Sequence, residues 1–91
     1  MIKIKPDLNM MLIIYKHEQV NDSIWFSKLV EEIKLPRVEV SKLEDKLYDL
    51  GLLNMKYEKV ENKWTNCYHI EDEAKYLLEQ LARHVVVEDT K

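Results

Sequence analysis

Three histidines, one cysteine and seventeen carboxylates carry the chain's potential for catalysis or metal binding, and their spacing limits what they can do. Cys67 and His69 stand two apart, so on a strand they would share one face and offer two ligands. A structural zinc takes four, and no CxxC pair or histidine cluster completes the set, since His17 and His84 lie far away in sequence. Packing is the better assignment for the pair, with a redox or metal sensor shared across a dimer as the alternative. The one glycine, Gly51, cannot build a glycine-rich phosphate loop. Serines, histidines and carboxylates occur without any recognisable nucleophilic arrangement. The expectation is a binding protein, not an enzyme, with no metal and no cofactor. Trp25, Phe26, Trp64 and Tyr68 could line a small effector pocket, although aromatics at such positions are more often core.

Binding chemistry depends on the elements that present it, and the clearest of these ends at Gly51. Val40, Leu43, Leu47 and Leu50 recur at steps of three or four and so lie on one face of a helix. Gly51 follows the last of them, where a helix commonly leaves through a left-handed residue that only glycine adopts without steric cost. Before it, Leu35-Pro36-Arg37 breaks the chain, because the residue before a proline avoids helical dihedrals and proline suits a helix start.

The remaining pattern predicts a first helix over about 7–17, capped by Asp7, with Leu8, Met11, Leu12, Ile14 and Tyr15 on its buried side. Asn21-Asp22-Ser23 interrupts it, and a second helix over about 23–34 buries Trp25 or Phe26, Leu29, Val30 and Ile33. The third helix covers about 37–50. A hairpin over about 52–70 turns at Glu61-Asn62, with Trp64, Asn66, Tyr68 and Ile70 on one face and Thr65, Cys67 and His69 on the other. A fourth helix, about 72–87, carries Ala74, Leu77, Leu78, Leu81 and Val85 as its apolar stripe. Ile2 and Ile4 are read as a short edge strand or arm. The fold class is mainly α with a small β-hairpin (α+β), in one domain over residues 1–91.

An apolar fraction of 46% with 34% charged residues fits a soluble globular chain. No apolar run reaches the roughly 20 residues that cross a bilayer, and the first residues lack the apolar segment of a signal peptide. Cys67 alone allows no intrachain disulfide, in keeping with a cytoplasmic location. The net charge of −3 is unusual for a nucleic-acid-binding domain, in which one strongly basic face is the common footprint.

Helix, helix-turn-helix, hairpin and helix in this order resemble the winged helix-turn-helix transcription regulators of the MarR and PadR type. Two segments carry the likeness. Val40-Ser41 through Leu47, then Leu50-Gly51-Leu52-Leu53, is similar to their recognition helix and first wing strand. Tyr68-His69-Ile70-Glu71-Asp72-Glu73-Ala74 is similar to their wing exit, with Glu71 at a usual threonine and Ala74 at a usual glycine.

The resemblance implies sequence-specific binding to double-stranded DNA by a homodimer. If the third helix enters a major groove, its core stripe turns Val38, Ser41, Lys42, Asp45 and Asp49 outward, with Arg37 and Tyr48 on one flank and Lys46 on the other. Base edges are reached from the N-terminal half of such a helix, which selects Arg37, Val38, Ser41 and Lys42, with Lys46 behind them. Lys59, Asn62 and Lys63 on the wing would touch phosphates or the minor groove. Leu77, Leu78, Leu81 and Val85 would form the dimer interface. Charge weighs against this reading, because the third helix sums to −1 and the hairpin over 54–66 only to +1. The alternative is a winged-helix protein-interaction module or assembly subunit that does not touch DNA.

Overall fold

Met10, Met11, Leu12 and Ile14 leave the first helix with little polar surface, and the chain places that helix at its centre. The computed structural model describes residues 5–89, with side chains described through Gln80. Among the described residues the order is α1 (Pro6–Gln19), α2 (Phe26–Ile33), α3 (Arg37–Asp49), β1 (Leu53–Val60), β2 (Lys63–Ile70) and α4 (Asp72–Asp89). Ile2 and Ile4 lie outside them.

Burial on α1 extends beyond one stripe, because Leu8, Ile13 and Tyr15 also pack against the core from its flanks. A helix apolar over so much of its circumference must be surrounded. Accordingly α2, α3, β2 and α4 all contact it. Met10, absent from the expected buried set, is fully covered. The expected cap at Asp7 is corrected by two residues: Lys5 is the N-cap, Pro6 opens the first turn, and Asp7 sits inside the helix. There its Oδ1 accepts the Leu8 N–H at 2.8 Å, and its charge complements the positive end of the helix dipole.

The second helix starts three residues later than the sequence pattern indicates. Residues 23–25 stay out of it because Ile24 is buried and its carbonyl accepts the Tyr68 N–H at 2.8 Å. Trp25 is extended at φ −127° and ψ 178°, and serves as the N-cap of α2. Lys34 ends that helix in the left-handed region at φ 59°, and Pro36 is the N-cap of α3 rather than part of its first turn. Three residues thus separate α2 from α3, the connection of a helix-turn-helix.

At the other end of α3 the chain closes a Schellman motif. The Gly51 N–H donates to the Tyr48 carbonyl at 3.0 Å and the Leu52 N–H to the Leu47 carbonyl at 3.0 Å. Gly51 has φ +73°, as its position after the helix requires. Val40 and Leu47 are buried and Leu43 partly so, but Leu50, expected to extend that stripe, is 60% exposed. It is the C-cap residue, so the stripe ends one turn earlier and Leu52 and Leu53 turn inward instead.

The strands β1 and β2 are antiparallel, registered from Leu53 opposite Ile70 to Val60 opposite Lys63. Glu61 and Asn62 both have positive φ, 50° and 68°, which gives the primed two-residue turn that matches strand twist. Along β2, Tyr68 and Ile70 are buried on one face and Cys67 on the other, so the base of the hairpin is covered on both sides. The Glu71 N–H adds one more bond to the Leu52 carbonyl before α4 begins, and Ala74 and Leu78 return its inner face to the core.

Nothing lies within 4 Å of a Cβ built on Gly51, so any cost of a side chain there comes from the backbone alone. Gly51→Ala is expected to destabilise the fold by about 1–2 kcal/mol in urea unfolding. An unchanged midpoint would show that the left-handed exit from α3 is not under steric constraint.

Candidate nucleic-acid interface

The turn over residues 34–36 fixes where α3 begins, and the burial of Val40 and Leu47 fixes its rotation about its own axis. Arg37, Val38, Ser41, Lys42, Asp45 and Asp49 are consequently exposed, as the spacing predicts. The Arg37 guanidinium lies 4.9 Å from the centre of the Phe26 ring, at the junction of α2 and α3. Such stacking orients the planar group and leaves its edge donors available. Lys42 is 3.8 Å from Glu39, one turn back, a loose and solvated pair.

Lys46 is placed differently from the other candidates. Its Nζ donates to Asp7 Oδ2 at 3.0 Å and ties α3 to the start of α1. Together with the Leu8 N–H, this bond holds the Asp7 carboxyl below the usual carboxylate range. Glu44 is also taken up internally, since the Tyr68 hydroxyl donates to its Oε2 at 3.0 Å. Burial first, and then the Glu44 charge, pushes the Tyr68 hydroxyl well above its ordinary range, so it remains a donor. Of the acids on α3, Glu44 therefore faces the wing, whereas Asp45 and Asp49 stay exposed.

On the wing, Lys59, Asn62 and Lys63 are exposed at and beside the turn. Strand alternation separates the side chains into two faces. Tyr57, Lys59, Trp64 and Asn66 share the face whose base is Tyr68, the residue bonded to α3, while Lys56, Glu58, Lys63, Thr65, Cys67 and His69 share the other. On that second face the His69 Nε2 is 3.0 Å from Glu58 Oε1, a bond that draws the Glu58 carboxyl below its usual range.

Three of the chain's acids, Glu18, Asp22 and Glu32, meet at the C-terminal end of α1. Glu18 accepts the Ile70 N–H, lies 3.5 Å from His69 Nδ1, and pairs with Lys75 Nζ at 2.8 Å, which raises the Lys75 ammonium above its ordinary range. His17 bridges Asp22 at 2.9 Å and Glu32 at 2.6 Å, and Lys28 holds Asp22 from 3.1 Å, lowering the Asp22 carboxyl. These pairs bind α1, α2, β2 and α4 to one another.

The aromatic residues considered as an effector pocket do not assemble one. A polar cleft of about 380 Å³ is lined by Glu18, Asp22, Glu58, His69 and Lys75 among others, and only Tyr68 of the four aromatics borders it. Trp25 carries the Lys28 ammonium 5.0 Å above its ring, Phe26 carries Arg37, and Trp64 stands on the wing. Among the described residues no group of three metal-binding side chains occurs, and Cys67 is buried, its thiol pushed up by desolvation.

The stripe expected on the last helix splits in two. Leu78 is only 2% exposed and belongs to the chain's own core, which corrects its assignment to a dimer interface. Residues 77 and 78 point about 100° apart on a helix, and Leu77 is 62% exposed beside exposed Tyr76. Leu81 and Val85 lie outside the residues whose side chains are described.

No family model and no curated protein sequence matches the chain. Solved structures do. AF1382 from Archaeoglobus fulgidus is 12% identical with a TM-score of 0.75, over 90% of this chain and 86% of that one. A mutant of Lactococcus lactis ZitR is 12% identical with a TM-score of 0.76, over 99% of this chain and 62% of that one. The circadian clock associated protein Pex from Anabaena is 16% identical with a TM-score of 0.66, over 97% and 85%. The fold is a winged helix. Its hallmarks here are the three-residue turn into α3, the glycine-closed exit, and the two-stranded wing. Among the described residues no helix is long and apolar enough to cross a membrane.

In this winged helix the bond from Tyr68 to Glu44 is the polar link between the wing and α3. Tyr68→Phe is expected to cost about 1–2 kcal/mol in urea unfolding, the range for a hydrogen bond to a partly exposed charged acceptor. A change within about 0.3 kcal/mol would show that the bond does not couple the two elements.

Proposed function

We propose that this chain is a double-stranded DNA-binding transcription regulator acting as a homodimer. The observation that carries the reading is the exposed N-terminal half of α3, where Arg37, Val38, Ser41 and Lys42 directly follow the helix-turn-helix turn. In that docking geometry the start of the second helix meets base edges. Arg37 or Lys42 would pair with guanine, and the Val38 methyls would meet a thymine methyl. Lys59, Asn62 and Lys63 would lie along the backbone or in the minor groove. The exposed side of α4, with Tyr76 and Leu77, supports pairing with a second copy, and a two-fold dimer matches a palindromic site. Leu81 and Val85 remain part of that proposal.

Exposed Asp45, Tyr48 and Asp49 on α3, with Leu50 at its C-cap, favour a second reading, in which the same helix meets a protein partner. Salt dependence separates the two. With roughly three or four phosphate contacts per subunit, log K against log salt is expected to fall with a slope of about −5 to −7 for a dimer. Sedimentation in the same buffers should give twice the chain mass. No binding to mixed-sequence duplex at about 50 mM salt would contradict the DNA reading.

Individual residues should divide by role. Lys63→Ala is expected to weaken binding to all duplexes alike, whereas Arg37→Ala and Lys42→Ala should also change sequence preference by about 1–3 kcal/mol in competition assays. Identical behaviour of all three would remove α3 from the reading role.

A further inference from the structure

Tyr57 and Trp64 stack on the wing with ring centres 5.6 Å apart and planes inclined by 23°. They remain 65% and 58% exposed. The two rings stack on each other, and more than half of each residue stays open to solvent. Lys59 is directly opposite Trp64 in the register, and Asn66 is directly opposite Tyr57. These four residues form one contiguous surface that contains an ammonium and an amide but no carboxylate. Glu58 belongs to the opposite strand face, where it is bonded to His69, Glu61 lies in the turn, and Glu44 of α3 meets the base of this face at Tyr68. In a chain of net charge −3, an aromatic surface with a cation and no acid is selective for its partner.

We infer that this wing face is a stacking surface for unpaired nucleic-acid bases, so that the protein prefers an opened duplex to a closed one. The inference rests on the DNA reading of the fold and adds the state of the DNA that is recognised. The Tyr57 hydroxyl and the Trp64 N–H can donate to a phosphate from their edges, but the ring faces cannot, and a closed duplex hides its base faces within its own stack. An unpaired base exposes a π-face that an aromatic ring accepts whatever the sequence, while a neighbouring lysine meets the backbone. Tyr57 and Trp64 provide the rings, Lys59 the backbone contact and Asn66 a hydrogen-bonding group for a base edge. The surface lies on the side of the wing that faces α3, so an opening next to a paired segment could engage both elements.

The test uses the full chain with three probes: a mixed-sequence duplex, the same duplex with a short central mismatch bubble, and single-stranded oligo(dT). In a Trp25→Phe background Trp64 is the sole tryptophan, and its emission should be quenched by oligo(dT) and by the bubble. The bubble should bind about 10-fold more tightly than the closed duplex. Trp64→Ala and Tyr57→Ala should each weaken bubble and oligo(dT) binding by about 5- to 100-fold and closed-duplex binding by less than about 3-fold, with Trp64→Phe retaining most affinity. Both positions are exposed, so thermal melting should show these variants folded.

Equal binding of bubble and closed duplex with unchanged Trp64 emission would overturn the stacking surface and leave the DNA reading standing. Equal loss on all three probes would make the pair a general backbone contact and overturn it as well. Self-association abolished by Trp64→Ala, without an effect on DNA, would assign the face to a second copy. Absence of binding to every probe at about 50 mM salt would overturn both proposals.

Discussion

The backward turn of the chain at Gly51 is the constraint on which the rest of the geometry depends. An α-helix leaves its last carbonyls unpaired, and α3 closes two of them with the N–H groups of Gly51 and Leu52. That closure needs a left-handed residue, and the chain places its one glycine there. Leu52 and Leu53 then enter the core immediately, which starts β1 on a definite face. From Leu53 opposite Ile70 the register runs unbroken to the turn at Glu61 and Asn62. Side-chain alternation does the rest: Tyr68 is brought against Glu44 of α3, and Tyr57, Lys59 and Trp64 stand on the same face farther out.

Much of this was legible in the residues. The periodicity of Val40, Leu43 and Leu47, the proline at 36, the glycine at 51 and the Glu61-Asn62 pair each act through local dihedral preference or burial, and such signals survive folding. The positions that differ depend on contacts and chain direction that local spacing does not encode. Residues 23–25 favour a helix start locally, yet Ile24 is held extended by a backbone bond from Tyr68. Leu50 fits the helical stripe by spacing, but as the C-cap residue it follows the chain out of the helix. Leu77 and Leu78 look alike in sequence, and only the packing of α4 on the core distinguishes the buried one from the exposed one.

The candidate interface was legible in the same uneven way. Exposure of Arg37, Val38, Ser41 and Lys42 follows from the buried stripe of α3 alone. The engagement of Lys46 with Asp7 and of Glu44 with Tyr68 spans 39 and 24 residues, beyond the reach of any local pattern. Those two bonds engage one cation and one acid of α3, so the residues left outward, Arg37 and Lys42 against Glu39, Asp45 and Asp49, still sum to −1. Glu44 is turned toward the wing, and Glu18 and Asp22 near the end of α1 are paired with Lys75 and Lys28. Long-range affinity for an anion follows the sign of the presented surface rather than the total, so an acidic chain retains a route to nucleic acid.

The central claim is that α3 and the wing together form the nucleic-acid surface, and amide NMR mapping tests it most directly. On addition of duplex DNA at low salt, the account predicts shifts concentrated at residues 37–46 and 59–66, with His17, Glu18 and Glu32 unmoved. Shifts centred on the end of α1, or on α3 only with a protein ligand and never with DNA, would contradict it.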